Sequence, residues 1–284
     1  MTGAGVRHWV ANQPERARTG VWVAEGPGGV VGWARARLRW ATSAEGVAEL
    51  WGFVAPTERG RGLGAALFDT AHAHLAAESA RVLESWATGD KGGRFLLARG
   101  FAAVRTQEVL QLDVASADLS GLEAARAASA ADGYQLVPLA SVADCVEALY
   151  ALDAGAIADV PGTYAEDDVR LDDWLAETLA HPQLTREGSF VVLAGDEPVA
   201  HALLHIDPDA KTAANEMTGT RRDHRRKGLA RLAKLATIAW AREQGYPAIV
   251  TGCDQDNAGM LQLNKGLGYR TVGIETEYLR EELR

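Results

Sequence analysis

The chain has 284 residues, 47% hydrophobic and 24% charged, a composition that excludes disordered, collagenous and membrane-embedded classes and gives room for about two domains of ~150 residues. Acidic residues outnumber basic ones to leave a formal charge of −9, which argues against a nucleic-acid-coating surface and favours small or cationic partners. Two cysteines, Cys145 and Cys253, are too few for a disulfide scaffold or a cysteine-ligated zinc site, residues 1–20 hold no apolar leader, and no apolar run is long enough to span a bilayer; the expectation is a cytoplasmic protein without metal, membrane or nucleic-acid partner.

In chain order, residues 21–25, the turn Gly26-Pro-Gly-Gly29 and residues 30–34 predict a hairpin. Val54-Ala-Pro-Thr-Glu-Arg59-Gly60-Arg61-Gly62-Leu63-Gly64 then opens a helix whose apolar stripe is Leu63, Leu67, Ala71 and Leu75. A short buried strand over residues 81–86 and the pair Gly100-Phe101 follow. Residues 115–132 are small and read as a linker with room for a short helix. Beyond it come a strand near 134–137, helices near 142–152 and 169–179, and a second hairpin over 190–203. Thr220-Arg-Arg-Asp-His-Arg225-Arg226-Lys227-Gly228-Leu229-Ala230 leads into a helix striped by Leu229, Leu232, Ala236, Ala239 and Trp240, then a strand at 248–251 and Gly268-Tyr269.

The two halves repeat one pattern. Arg59 aligns with Arg225 at an offset of 166, which also places Gly62 on Gly228 and Gly64 on Ala230; Gly100-Phe101 aligns with Gly268-Tyr269 at 168. Hairpin, glycine motif and closing pair recur in the same order, so the chain reads as a duplicated domain. Only the second copy has two helices before its hairpin.

A strand that enters Arg-x-x-Gly-x-Gly/Ala and leaves as a helix aims free backbone N–H groups and the positive end of the helix dipole at one point, while the glycines let an anion approach. The natural guest is a phosphate or pyrophosphate. Neither copy has the Gly-Lys-Ser/Thr of a P-loop or the spacing G-x-G-x-x-G of a dinucleotide fold.

These residues resemble the pyrophosphate-binding motif of the GCN5-related N-acetyltransferase (GNAT) superfamily, and Asn257-Ala-Gly-Met260-Leu-Gln-Leu-Asn264-Lys-Gly-Leu-Gly268-Tyr269 resembles its closing segment. The likeness covers about 133–281 and about 20–114, in the manner of tandem two-domain acetyltransferases. It implies an α/β (α+β) fold of two GNAT-type domains, each a mixed, mostly antiparallel splayed sheet flanked by helices. The expected divisions are an N-terminal domain at 1–114, incomplete and non-catalytic, a linker at 115–132 and a catalytic domain at 133–284. It further implies acetyl-CoA as co-substrate, its pyrophosphate on the N–H groups of Arg225, Arg226, Lys227, Gly228, Leu229 and Ala230, its pantetheine along Thr218, Gly219 and Thr220, and a contact from Asn257. The counterparts in the first copy are Gly52, Phe53, Val54, Arg59, Gly60, Arg61, Gly62, Leu63 and Gly64.

Acetyl transfer to an amine needs a base, because an alkylammonium (pKa ~10.4) has no lone pair. Glu216, nine residues before Arg225, is the candidate; an unbroken strand fixes its face and a bulge would change it. His201 and His205 share a face of the preceding strand and could relay the proton, or be core or solvated histidines. Many members of the family carry a tyrosine as acid four residues before the closing Gly-aromatic pair; here Asn264 stands in the second copy and Leu96 in the first. The acidic run Glu166, Asp167, Asp168, Asp172, Asp173 reads as a solvated face, and the tryptophans as core and interdomain packing. The expected activity is N-acetylation of a primary amine on a small molecule by direct attack on the thioester, in a monomer or homodimer. A silent acyl-CoA sensor or scaffold and a protein N-acetyltransferase are the alternatives.

Overall fold

The computed structural model describes residues 3–142 and 144–281. In chain order its elements are α1 (Gly3–Ala11), β1 (Gly20–Gly26), β2 (Gly29–Leu38), β3 (Val47–Val54), α2 (Leu63–Ala77), β4 (Val82–Thr88), α3 (Gly89–Leu97), β5 (Ala102–Asp113), α4 (Leu122–Ala131), β6 (Tyr134–Pro138), α5 (Val146–Ile157) and α6 (Leu171–Trp174) with a wider π turn over Leu175–Leu179. There follow β7 (Phe190–Ala194), β8 (Glu197–Asp207), β9 (Thr212–Thr220), α7 (Leu229–Glu243), β10 (Ala248–Asp254), α8 (Ala258–Gly266) and β11 (Arg270–Glu281). Both predicted hairpins form; in β7–β8 the two-residue loop is made by Gly195, at φ +61°, and Asp196. Residues 115–132 contain α4.

The chain divides into two compact units. One holds the first glycine motif and comprises Gln13–Thr106, Thr163–Asp168 and the chain from Ile274; the other holds the second motif and comprises the chain up to Asn12, Gln107–Gly162 and Val169–Gly273. In the first unit β1, β2 and β3 pair antiparallel, and β3 runs parallel to β4 only at Val47–Glu49. In the second, β6 to β9 pair antiparallel and β9 runs parallel to β10 only at Ala213 and Ala214. Beyond those short contacts β3 and β9 each keep one unpaired edge: the splay recurs in both copies. The strand ending each copy is placed less simply. Residues 275–281 of β11 run along β4 in the first unit, and residues 107–113 of β5 run along β10 in the second.

Helix burial follows the stripes. Leu67, Ala71 and Leu75 of α2 pack on Ala34, Ala36, Ala48 and Leu50. In α7 burial extends over Leu229, Leu232, Ala233, Leu235, Ala236 and Ile238, so the helix is enclosed on more than one face. The other face of the second sheet is covered by α5 and α6, where Leu149, Trp174 and Leu179 meet Val191, Leu193 and Leu203.

The first unit has no such helix pair among its described residues, and its sheet face is built differently. Side chains alternating with the α2-facing residues form cross-strand pairs in register: Arg37 Nε lies 2.9 Å from Glu49 Oε2, and the Arg35 guanidinium sits 5.1 Å from the Trp51 ring centroid. Arg39 bonds Glu84 at 2.9 Å, and Arg105 covers Trp86 at 5.2 Å while pairing with Glu277. Trp51 and Trp86 therefore serve as platforms for arginines, a departure from the core packing expected of the tryptophans. Charge pairing and cation–π contact close a face that helices close in the other unit.

In the second unit the β8–β9 register shifts between Ala202/Leu204 and Thr218/Asn215, so Glu216 and Met217 both stand opposite Leu203. Asn215 holds this bulge. Its Nδ2 donates to Leu203 O at 2.8 Å, its Oδ1 accepts from Thr218 Oγ1 at 3.1 Å and from the buried Lys234 Nζ, and its main-chain O accepts from Thr251 Oγ1 at 2.9 Å. Burial pulls the Lys234 ammonium down to about 7. That value lies below the ~10.4 of an unfolded chain, which therefore binds more protons through the window between them, so this group adds stability as pH rises from about 7. Wild type should gain unfolding free energy relative to Lys234→Met as pH is raised from about 6.5 to about 9 in denaturant titrations, and a pH-independent difference contradicts the assignment. Asn215→Ala, which orphans the Leu203 carbonyl and the buried ammonium, should cost about 3 kcal/mol in the same assay.

Candidate functional site

Each glycine motif is a strand end, a tight turn and a helix start with the same local physics. Arg59 Nε donates to Val54 O at 2.9 Å, and Arg225 Nε donates to Thr220 O at 3.0 Å, so the first arginine of each motif ties the loop to the last residue of its strand. Gly62 (φ +84°) and Gly228 (φ +77°) cap α2 and α7 without any side-chain hydrogen bond. Neither has an atom within 4 Å of where a Cβ would lie, so both helix mouths open on free space. Gly60 takes φ +82°, and its counterpart Arg226 holds the same left-handed backbone at φ +62° without being glycine.

The second loop is also anchored from outside. Lys227 Nζ donates to Tyr134 Oη at 2.7 Å, and the Tyr134 hydroxyl also lies 3.0 Å from His224 Nδ1. The Asp159 carboxylate, in the loop after α5, takes Arg222 at 2.5 Å and also Arg225; hydrogen bonds from these two arginines hold it down to about 2. The segment between α5 and α6 is thus pinned at one end to the glycine motif. In the first unit Thr163 donates to Glu277 at 3.0 Å, Glu166 pairs with Arg39 at 3.0 Å and Asp167 accepts from the Ser43 amide and hydroxyl at 2.7 Å. Glu166 and Asp167, expected on a solvated face, are paired.

The free edge of β9 runs from Glu216 to Thr220, presenting main-chain donors and acceptors beside the splay. Thr218 is engaged with Asn215, and the Thr220 hydroxyl is buried without a partner among the described residues. Gly219 is fixed by close approach: a Cβ there would lie 2.4 Å from Ala156 Cβ and 2.9 Å from His201 Cε1. His201 Nε2 is 2.8 Å from Asp153 Oδ1, poorly aligned for a hydrogen bond, and Asp153 Oδ2 accepts from Trp174 Nε1 at 2.7 Å. All three side chains are buried, which makes His201 part of the core between β8 and α5.

The bulge puts Glu216 on the face covered by α5 and α6, where His205 Nδ1 lies 3.4 Å from its Oε1. Burial raises the Glu216 pKa, but the hydrogen bond and charge of His205 outweigh it and hold the carboxyl below the usual range, so it is ionised at neutral pH. Asn264, on α8, is 1% exposed, and neither end of its amide has a partner among the described residues. Asn257 caps α8 by accepting from the Met260 N–H at 3.1 Å. Burial pushes Cys253 up to about 11, which keeps its thiol protonated at neutral pH.

The first copy lacks both candidate catalytic groups. At an offset of 166 the counterpart of Glu216 is Leu50, buried in the apolar core, and β2 pairs with β3 from Leu38 to Gly32 without a register shift. Leu96, buried on α3, aligns with Asn264.

A family model described as "Acetyltransferase (GNAT) family" matches residues 153–269, and one described as "Acetyltransferase (GNAT) domain" matches residues 17–103. A mycothiol acetyltransferase of Nocardioides sp. is 28% identical over 235 residues, spanning 78% of this chain and 77% of that protein. Another, of Clavibacter sepedonicus, is 29% identical over 231 residues, spanning 80% and 71%. Among solved structures, a GCN5-related N-acetyltransferase from Sphaerobacter thermophilus superposes with a TM-score of 0.68 at 16% identity, over 97% of this chain and 84% of that one. A tandem GNAT protein from the clavulanic acid biosynthesis pathway reaches 0.69 at 19% identity, over 99% and 88%. Matched by the family in each half and alike in fold to its tandem members, the chain belongs to the GNAT family, carries two of its domains in tandem and is an N-acetyltransferase.

Proposed function

We propose that the second copy transfers an acetyl group from acetyl-CoA to a primary amine of a small molecule, and that the first copy serves as a CoA-binding or scaffolding domain without chemistry of its own. One observation carries this reading: the bulge, the ionised Glu216 and the inward Asn264 accompany the second helix mouth, whereas the first mouth is accompanied by Leu50 and Leu96. The naming of two relatives as mycothiol acetyltransferases supports a small-molecule acceptor.

The residues fit the co-substrate. The uncapped N–H groups at the start of α7, with Arg226 and Gly228 in left-handed backbone, suit a diphosphate, and the free edge of β9 suits the amides of a pantetheine arm. The orphaned Asn264 amide, costly to bury unpaired, is accounted for by a ligand atom at the splay. Acetyl-CoA would supply an acyl group activated as a thioester.

Glu216 takes the proton of the incoming ammonium, directly or through a water, leaving a neutral amine with its lone pair free. A main-chain N–H on the free edge of β9 offers a donor to the negative charge developing on the acyl oxygen. The second proton that the attacking nitrogen sheds can pass to the departing sulfur, to which the Asn264 Nδ2 can donate a hydrogen bond without giving up a proton of its own. A thiolate leaving group with pKa near ~8.5 needs no more.

Glu216→Gln should lower kcat at neutral pH by roughly 100-fold or more while the KM for acetyl-CoA stays within about threefold; a wild-type rate removes Glu216 from the chemistry. Gly228→Glu should weaken CoA binding by roughly 100-fold or more in calorimetry, since bulk and charge both oppose a diphosphate at the helix mouth. Gly228→Ala, strained at positive φ but uncharged, should lose distinctly less; equal losses in the two variants would trace the effect to backbone strain alone.

A further inference from the structure

We propose that His205 is a positioning residue for Glu216, and that its imidazole is itself held by His181 and His8, drawn from two other segments of the chain. This rests on the assignment of Glu216 above and deepens it. His205 leaves β8 toward the α5–α6 face and directs Nδ1 at Glu216 Oε1, 3.4 Å away. Its ring lies flat on that of His181, with centroids 4.4 Å apart and planes 4° from parallel. His8, on α1, meets His181 edge-on at 5.3 Å and lies with Nε2 2.7 Å from Ala176 O in the π turn. Three chain segments distant in sequence thus converge behind one carboxylate.

The stack works because its middle ring is uncharged. His181 Nδ1 accepts from the Gln183 N–H at 3.2 Å, which requires a free lone pair on that nitrogen. Burial, with His205 and His8 adding to it, brings the His181 imidazole down to about 4, so it is neutral wherever the amine reaction runs. A neutral ring can be a flat plate against His205 without charge repulsion, fixing the angle from which Nδ1 meets Glu216. Among the described residues the groups facing Glu216 are then His205 from β8 and His181 from the turn after α6, with His8 of α1 behind His181. An exposed glutamate at a bulge has several rotamers; this arrangement selects one and stabilises its ionised form.

The test reads the carboxylate itself. In the full chain labelled with 13C-glutamate and free of substrates, the Glu216 carboxyl is identified by its absence from Glu216→Gln and titrated by NMR. Its midpoint should lie below that of an ordinary glutamate, rise in His205→Leu, and return most of the way in His205→Asn, whose Nδ2 replaces the lost Nδ1 donor. In kinetics His205→Leu should lose kcat by about 10- to 100-fold with the KM for acetyl-CoA unchanged, and the acid limb of kcat/KM should move up in pH with the NMR midpoint; His205→Asn should recover both. His181→Leu should shift both readouts the same way by less. An unmoved midpoint in folded His205→Leu, or in His181→Leu if that variant does not fold, overturns the proposal. So does loss of rate with a stationary acid limb, the mark of a structural role. Because the midpoint is measured without substrates, a chain that transfers no acetyl group would sink the reading of the site while leaving the positioning of Glu216 separately decided.

Discussion

The second unit depends on one buried amide. Asn215 sits where β9 gains a residue against β8 and where β10 turns away, and its side chain and carbonyl satisfy groups on both neighbouring strands and on α7. An unpaired carbonyl at a bulge costs about 1–3 kcal/mol when buried, and a lone ammonium beside it costs more. Asn215 resolves both at once: Leu203 O receives its Nδ2, and Lys234 Nζ donates to its Oδ1. The bulge then turns Glu216 and Met217 to the α5–α6 face together. The placement of Glu216 follows from how a backbone irregularity is made affordable.

The same constraint explains the difference between the copies. A strand without an extra residue keeps strict alternation, so β3 directs Ala48 and Leu50 into the core and Glu49 and Trp51 to the opposite face. There Glu49 meets Arg37, and Trp51 meets Arg35. With no bulge to stabilise, the aligned helix α2 has no need of a buried cation at the place of Lys234, and its buried face is leucine, phenylalanine and alanine. An unshifted β2–β3 register and a leucine in place of Glu216 go together in the first copy.

Much of this is legible in the sequence, for physical reasons. The duplication, the hairpins and the helix starts are written in local signals: turn residues at fixed offsets, an apolar stripe, a glycine at positive φ. In the sequence the bulge is only a condition on Glu216, since Asn215 is one polar residue in a polar strand and its partner Lys234 reads as an interruption of an apolar helix. Nothing local joins His8, His181 and His205. Their meeting is decided by where α1 and the turn after α6 pack, and that is set by tertiary burial. The arginine–tryptophan face is not legible in the sequence, because a tryptophan's burial alone does not distinguish a core position from a platform under a guanidinium.

The glycine motifs survive in both copies although the surroundings diverge, and their internal bonding accounts for it. Each arginine closes its own loop onto its own strand end, over five residues, through one Nε–carbonyl bond at 2.9 or 3.0 Å. Each helix cap is a glycine whose left-handed backbone needs no contact from elsewhere. Such a turn closes on its own bonds in both copies, and the second adds anchors from outside in Tyr134 and Asp159. A helix mouth is therefore weak evidence for chemistry and good evidence for anion affinity. What sets the second copy apart is the non-local part: the bulge held by Asn215 and Lys234, the carboxylate it presents, and the amide of Asn264 left without a partner among the described residues.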